Sequence, residues 1–227
     1  MSGFRLPRDD QRVAVIGRTG SGKTVQGAWL LEQSSFMKVP RVIVDYKGDT
    51  LFGSIDRIEE IGFNTVPKHG GLYIIRPLIH DEASMEAWLW KVWERESVGL
   101  YFDEAFMLPN SGFGRRGALQ AILTQGRSKT IPVISLVQRP SMISLFVFSE
   151  ADYYSVFHLN RESDQKTVRE MAQKLDPRKL PALKPYHSRW YDVGNDKLFS
   201  MLPAPKPEVI AERIDTKLKP KRRHFRG

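Results

Sequence analysis

Cysteine is absent from the 227 residues, which excludes disulfide scaffolds, thiolate-bound zinc and thiol catalysis. Histidine is scarce: His69, His80, His158, His187 and His224 form no H-x-x-x-H or similar ligand pair, so a structural metal is not expected. Long apolar runs are missing too. The longest, Ile131 to Val137, is interrupted by Pro132 and Ser135 and falls far short of the ~18 residues a membrane span requires. Met1 to Gln11 carries charges of both signs and no apolar stretch, so neither a secretory signal nor a transit peptide is expected, and the protein is expected to stay where it is made. Acidic residues are missing from the last eleven positions, where Lys217, Lys219, Lys221, Arg222, Arg223 and Arg226 stand. Without those six the chain holds 29 basic against 26 acidic residues, so most of the formal charge of +9 sits in a terminal arm. Such an arm suits a polyanion; the plainer alternative is a solvated tail.

What remains is a globular composition, 41% hydrophobic and 27% charged, sized for one large domain. Arg12–Ile16 (RVAVI) reads as a β-branched strand running into Gly17–Thr24, and Val25–Gln33 reads as a helix. Further short apolar strands are expected at Arg41–Asp45, Leu72–Arg76, Val98–Phe102, Ile131–Val137 and Tyr153–Leu159. Helices are expected at Asp81–Ser97, Gly117–Arg127 and about Ser163–Leu175, the first carrying Met85, Trp88, Leu89, Val92 and Trp93 as a core stripe. Strands alternating with helices predict an α/β fold. Its mostly parallel sheet is covered on both faces, with ligands at the strands' carboxyl ends. Beyond Leu175 prolines frame one hairpin, Arg189–Val193 and Lys197–Met201, turning at Gly194-Asn195.

The strongest chemical signal is Gly17-x-x-x-x-Gly22-Lys23-Thr24, a pattern expected by chance in on the order of one in a hundred chains of this length. Here it sits between a strand and a helix, where the phosphate-cradling loop belongs. Backbone N–H groups of Gly17, Arg18, Thr19, Gly20, Ser21 and Gly22 converge on phosphate oxygens, the helix end adds positive potential, Lys23 supplies a point charge and the Thr24 hydroxyl is a Mg²⁺ ligand. The pair Asp103-Glu104 ends an apolar strand, where two carboxylates are costly unless something charged stands opposite. Mg·nucleotide fits: Asp103 as metal ligand, Glu104 as general base for the attacking water. Gln138, ending the fifth strand, is placed to sense the γ-phosphate or its water; on the residue alone, an ordinary loop amide is an equal reading.

The set Asp45-Tyr-Lys-Gly48, Phe102-Asp-Glu-Ala105 and Ser135-Leu-Val-Gln-Arg-Pro-Ser141 resembles the FtsK/HerA superfamily of DNA-pumping ATPases, whose D-x-K-G turn, D-E pair and Q-R-P-S segment recur in this order. The likeness covers about residues 12 to 170. Size narrows it toward the genome-packaging ATPases of tectivirus-type viruses, although Tyr46 stands where the family's D-P-K form has proline. The resemblance implies a RecA/ASCE-like P-loop NTPase sheet with the Gln138 strand between the loop strand and the Asp103 strand. It implies ATP and Mg²⁺, double-stranded DNA as partner, a homo-oligomeric ring with a hexamer favoured, capsid vertex or portal proteins, viral membrane proteins, and a location in the virion and host cytoplasm. It also implies an arginine finger from the neighbouring subunit, carried over to Arg127, with Arg115 and Arg116 competing. On this reading residues 1–207 form the ATPase domain with a small C-terminal hairpin, and 208–227 the basic arm.

The implied function is ATP-driven translocation of duplex DNA into a preformed capsid. Gly112 to Gly117, directly after the carboxylate pair, is a candidate DNA contact, the alternative being a plain surface loop. A HerA-like helicase, a small-molecule kinase and a nucleotide-dependent assembly factor stay open as alternatives. A GTPase is disfavoured, because Asp45-x-x-Gly48 is not accompanied by any N-K-x-D.

Overall fold

The computed structural model describes residues 4–109, 117–143, 146–179 and 182–219. Among the described residues, nine strands form one sheet: β1 (Arg12–Ile16), β2 (Arg41–Val44), β3 (Glu59–Glu60), β4 (Leu72–Ile75), β5 (Gly99–Phe102), β6 (Val133–Val137), β7 (Tyr153–Val156), β8 (Ser188–Asp192) and β9 (Lys197–Met201). Their order is β3-β4-β2-β5-β6-β1-β7-β8-β9. The first seven pair in parallel, while β8 and β9 add an antiparallel hairpin at one edge. β6 lies between β1 and β5, the order the family resemblance implies.

The central strands are short, apolar and buried along their whole length, because helices cover both faces. Alternation along each strand divides the core in two. Ala14, Ile16, Val42, Val44, Leu100 and Phe102 face α3 (Glu82–Arg95), α4 (Ala118–Gln125) and α6 (Glu162–Met171). Val13, Val15, Ile43, Tyr101 and Leu136 face α1 (Lys23–Gln33), α2 (Thr50–Gly53) and α7 (Pro207–Leu218). Four of the five residues of the expected stripe are core: Met85, Trp88, Leu89 and Val92 on α3 are fully buried, with Trp88 Nε1 donating to the Thr65 carbonyl at 2.8 Å, while Trp93 is half-buried against them. A short α5 (Phe146–Ser149) completes the helices.

One boundary differs from expectation. Residues 208–218, taken from sequence as part of the arm, form α7, which packs on α1 and α2 through the fully buried Ile210 and Ile214. Four residues of spacing put both isoleucines on one helix face, and their burial outweighs the surrounding charge. Lys217 ties the exposed side of α7 to α1, its Nζ 2.7 Å from Glu32 Oε1. Lys221, Arg222, Arg223 and Arg226 lie outside the described residues.

Candidate active site

β1 delivers the chain into the loop Gly17–Thr24 between its two neighbours. The Gly17 N–H donates to the Val137 carbonyl at 3.1 Å, so the β1–β6 ladder continues into the loop. Gly17 has no space for a side chain, since a Cβ would lie 2.6 Å from Ser21 Oγ and 2.7 Å from Phe157 Cβ. Gly22 has φ +100°, a left-handed backbone that only glycine adopts freely, and it caps α1 without a side chain. With no acidic residue in the first turn of α1, its N–H groups are left for an anion. Lys23 folds back across the loop, Nζ donating to the Arg18 carbonyl at 3.0 Å. It is 6% exposed, and burial pulls its ammonium down to about 8; the charges of Glu104, Lys47 and Asp103 all reach it.

Asp103 and Glu104 leave the carboxyl end of β5 and are buried. Lys47 stands opposite them, Nζ 2.9 Å from Glu104 Oε2 and 3.9 Å from Asp103 Oδ2. Asp45 positions that lysine: its Oδ1 accepts from the backbone N–H groups of Lys47, Gly48 and Asp49 at 3.1, 2.8 and 3.2 Å, in a turn where Gly48 has φ +69°. Burial raises the Asp103 carboxyl to about 6; Lys47 opposes this, while Asp49, Asp45 and Glu104 reinforce it. Asp103 Oδ1, Glu104 Oε1 and Ser21 Oγ are buried with no hydrogen-bond partner. Such atoms are costly in a folded protein and point to a group that arrives from outside. A carboxylate and a hydroxyl beside a phosphate loop are the hard oxygen donors that Mg²⁺ takes together with phosphate oxygens and water. No cluster of three metal-ligating side chains exists among the described residues, so a cation here needs those outside ligands.

Gln138 joins the loop from β6, with Thr19 Oγ1 donating to Gln138 Oε1 at 3.0 Å. The residues after it are anchored by Asp164 of α6, which accepts from Arg139 Nε at 3.1 Å and from the Ser141 hydroxyl at 2.6 Å. Lys23, Thr24, Asp103, Glu104 and Gln138 are therefore brought together at the carboxyl ends of three adjacent strands. Arg127 is not. It precedes β6 at the other end of the strands, paired with Asp152, whose Oδ2 also accepts the Arg12 N–H at 2.9 Å. The five residues of β1 separate it from the loop by about 16 Å. Arg115, Arg116 and the expected DNA-contact loop lie outside the described residues except for Gly117.

Sequence reasoning passed over Lys47, though the D-x-K-G turn contains it and the cost of two buried carboxylates demands a cation opposite them. It also passed over Asp164 as the anchor of the Gln138 segment. Only the acidic start of the helix after β7 hinted at that role.

A phosphate loop on one strand, paired carboxylates two strands away and a polar sensor on the strand between define a P-loop ATPase with the additional central strand. The DNA packaging ATPase P9 of Enterobacteria phage PRD1 is 38% identical over 220 residues, 93% of this chain and 95% of that one. This chain belongs to the family of that packaging ATPase. No family model matches it. The genome packaging NTPase B204 of Sulfolobus turreted icosahedral virus 2, in complex with AMP, superposes with a TM-score of 0.68 at 18% identity, covering 87% of this chain and 99% of that one. EssC (ATPases 2 and 3) of Geobacillus thermodenitrificans gives a TM-score of 0.63 at 13% identity over 92% of this chain and 44% of its own. Both share the fold.

Proposed function

We propose that this chain hydrolyses Mg·ATP to drive double-stranded DNA into a preformed viral capsid, working as a homo-oligomeric ring, with a hexamer favoured, at the packaging vertex. The observation that carries the chemistry is the pair of partnerless buried atoms, Asp103 Oδ1 and Glu104 Oε1, beside a loop built for phosphate. When bound, Mg²⁺ neutralises charge on the phosphates, held by Thr24 and Asp103. Lys23 and the loop N–H groups hold the β- and γ-phosphates. Glu104 takes the proton of the attacking water, and Gln138 orients that water. Lys47, which grips Glu104 here, must yield it before Glu104 can act as base. Membership of the packaging family supports DNA as the cargo, and the tail after α7 supplies cations for its phosphates. The reading places the protein in the virion and host cytoplasm, bound to capsid vertex or portal proteins and to viral membrane proteins. No helix among the described residues is long and apolar enough to cross a membrane.

The test is the ATPase rate with and without long duplex DNA. DNA is expected to accelerate hydrolysis, and Glu104→Gln to keep ATP bound while turnover stops, because the amide keeps the shape and cannot take a proton. Parental turnover in that variant sinks the general-base role. The ring is tested through Arg127, proposed as the finger reaching the neighbour's ATP after release from Asp152. Arg127→Ala should bind ATP and lose on the order of 10³-fold in rate. Tethered dimers of Arg127→Ala with Glu104→Gln restore one intact interface, so activity should return. A dead tethered pair, with Arg115→Ala or Arg116→Ala complementing instead, moves the finger to that loop.

A further inference from the structure

The strand order gives the nucleotide site a polarity. On one side of the loop, through β6 and β5, stand Gln138, Asp103 and Glu104; on the other, through β7 and β8, stand Phe157, His158 and the turn Lys184–His187. A triphosphate with its terminal phosphate toward the carboxylates directs its nucleoside toward β7. A cavity of about 290 Å³ opens there, lined by Gly20, Ser21, Phe157, His158, Tyr186 and His187. It shares Phe157, His158, Ala182 and Leu183 with a second cavity of about 290 Å³ that reaches Gln165 of α6. Together they fall in the ~300–1,000 Å³ range of small-molecule sites.

The wall of this cavity holds a strained residue. The His187 N–H donates to the Lys184 carbonyl at 3.1 Å, closing a turn with Pro185 second and Tyr186 third. Tyr186 has φ +61°, at the turn position where glycine is the usual occupant. Its side chain has not been drawn into the core, for the residue is 60% exposed. The ring instead lies against the phosphate loop: a Cβ on Gly22 would be 3.2 Å from Tyr186 Cδ1. His187 Nδ1 is 2.9 Å from the Pro185 carbonyl, which only accepts, so Nδ1 carries the hydrogen and Nε2 of the neutral ring is an acceptor. An aromatic residue kept strained and exposed beside a phosphate loop is placed for a ligand rather than for the fold.

We infer that Tyr186 is the stacking platform for the base of ATP, with Phe157, His158 and His187 forming the rest of the base and ribose pocket. The turn 184–187 then sets how tightly ATP is held relative to a bare triphosphate. This rests on the phosphate-loop reading of Gly17–Thr24. The experiment measures affinities of ATP and tripolyphosphate for the full chain by calorimetry with Mg²⁺, in the parent, Tyr186→Gly, Tyr186→Phe and Lys23→Ala. Glycine relieves the turn, so Tyr186→Gly should melt no lower than the parent, which separates lost binding from lost structure. Base–aromatic stacking predicts ATP weakened roughly 5- to 150-fold in that variant, with tripolyphosphate unchanged. Tyr186→Phe should bind both ligands as the parent does, and Lys23→Ala should weaken both. A parental ratio of ATP to tripolyphosphate affinity in Tyr186→Gly overturns the base platform. Parental affinity for both ligands in Lys23→Ala overturns the phosphate-loop reading instead.

Discussion

Replacing Lys23 by methionine is expected to stabilise the nucleotide-free protein while destroying its ability to bind ATP. Burial lowers the Lys23 ammonium to about 8 from an ordinary 10.5. That difference is a penalty of about 3 kcal/mol on the folded state at pH 7. The unfolded chain keeps this proton up to about pH 10.5 and the folded chain only to about 8. Between those values the unfolded state binds more protons, so stability rises with pH; below 8 the full penalty stands. Methionine removes the penalty and forfeits the bond from Nζ to the Arg18 carbonyl, worth about 1 kcal/mol. The net gain at pH 7 is about 2 kcal/mol, or roughly 4–8 °C in Tm for a chain of this size. By pH 9.5 the remaining penalty of about 1 kcal/mol cancels the lost bond, and the two proteins should melt together. Calorimetry in buffers free of phosphate and sulfate, which the loop itself would capture, reads both points. Mg·ATP at about 100 times its Kd should reverse the order at pH 7, since only the parent gains the ~2.7 kcal/mol of linkage. A variant less stable than the parent at pH 7, or a gap unchanged at pH 9.5, refutes the reasoning.

Two further outcomes follow from the same site and its surroundings. Lys47→Ala leaves Glu104 and Asp103 without their ion-pair partner and with only the more distant charge of Lys23; because Lys47 is 42% exposed, the loss should be about 1–2 kcal/mol rather than the ~3–5 of a fully buried partner. Mg²⁺ alone should then raise the Tm of Lys47→Ala more than that of the parent, and an equal response would show that the lysine is not the counter-charge of the pair. Deleting residues 220–227 removes Lys221, Arg222, Arg223 and Arg226. Each phosphate contact so lost lowers the slope of log K for duplex DNA against log salt by about 0.9; an unchanged slope makes the segment a solvated tail.

The central strands were legible because each is a short apolar run buried on both faces, with little polar alternation to confuse the reading; β3 was not, because its two exposed glutamates carry no strand signal and join the sheet only by pairing with β4. Gly17–Thr24 was legible because its chemistry is local. Strand order is not local: that β6 separates β1 from β5 came from the family resemblance, and the register Ile16 to Val137 and Phe102 to Ser135 agrees with it. α7 was hidden by Pro203 and Pro205 in front of it and by cations behind, although Pro207 at its first position and the Ile210–Ile214 spacing were in plain view. Lys47 escaped notice because its role needs the end of β2 beside the end of β5, a neighbourhood 57 residues apart in sequence. Tyr186 carried no motif at all; only a backbone angle and its approach to Gly22 single it out.

The helix α1 is gripped at both ends. Lys23 begins it at the phosphate loop, and about 14 Å away along its axis Lys217 of α7 holds Glu32, one residue from its last. The chain continues from α7 straight into its cationic terminus. A disturbance of α7 and one of the Gly17–Thr24 loop therefore meet in one helix, each entering at its own end.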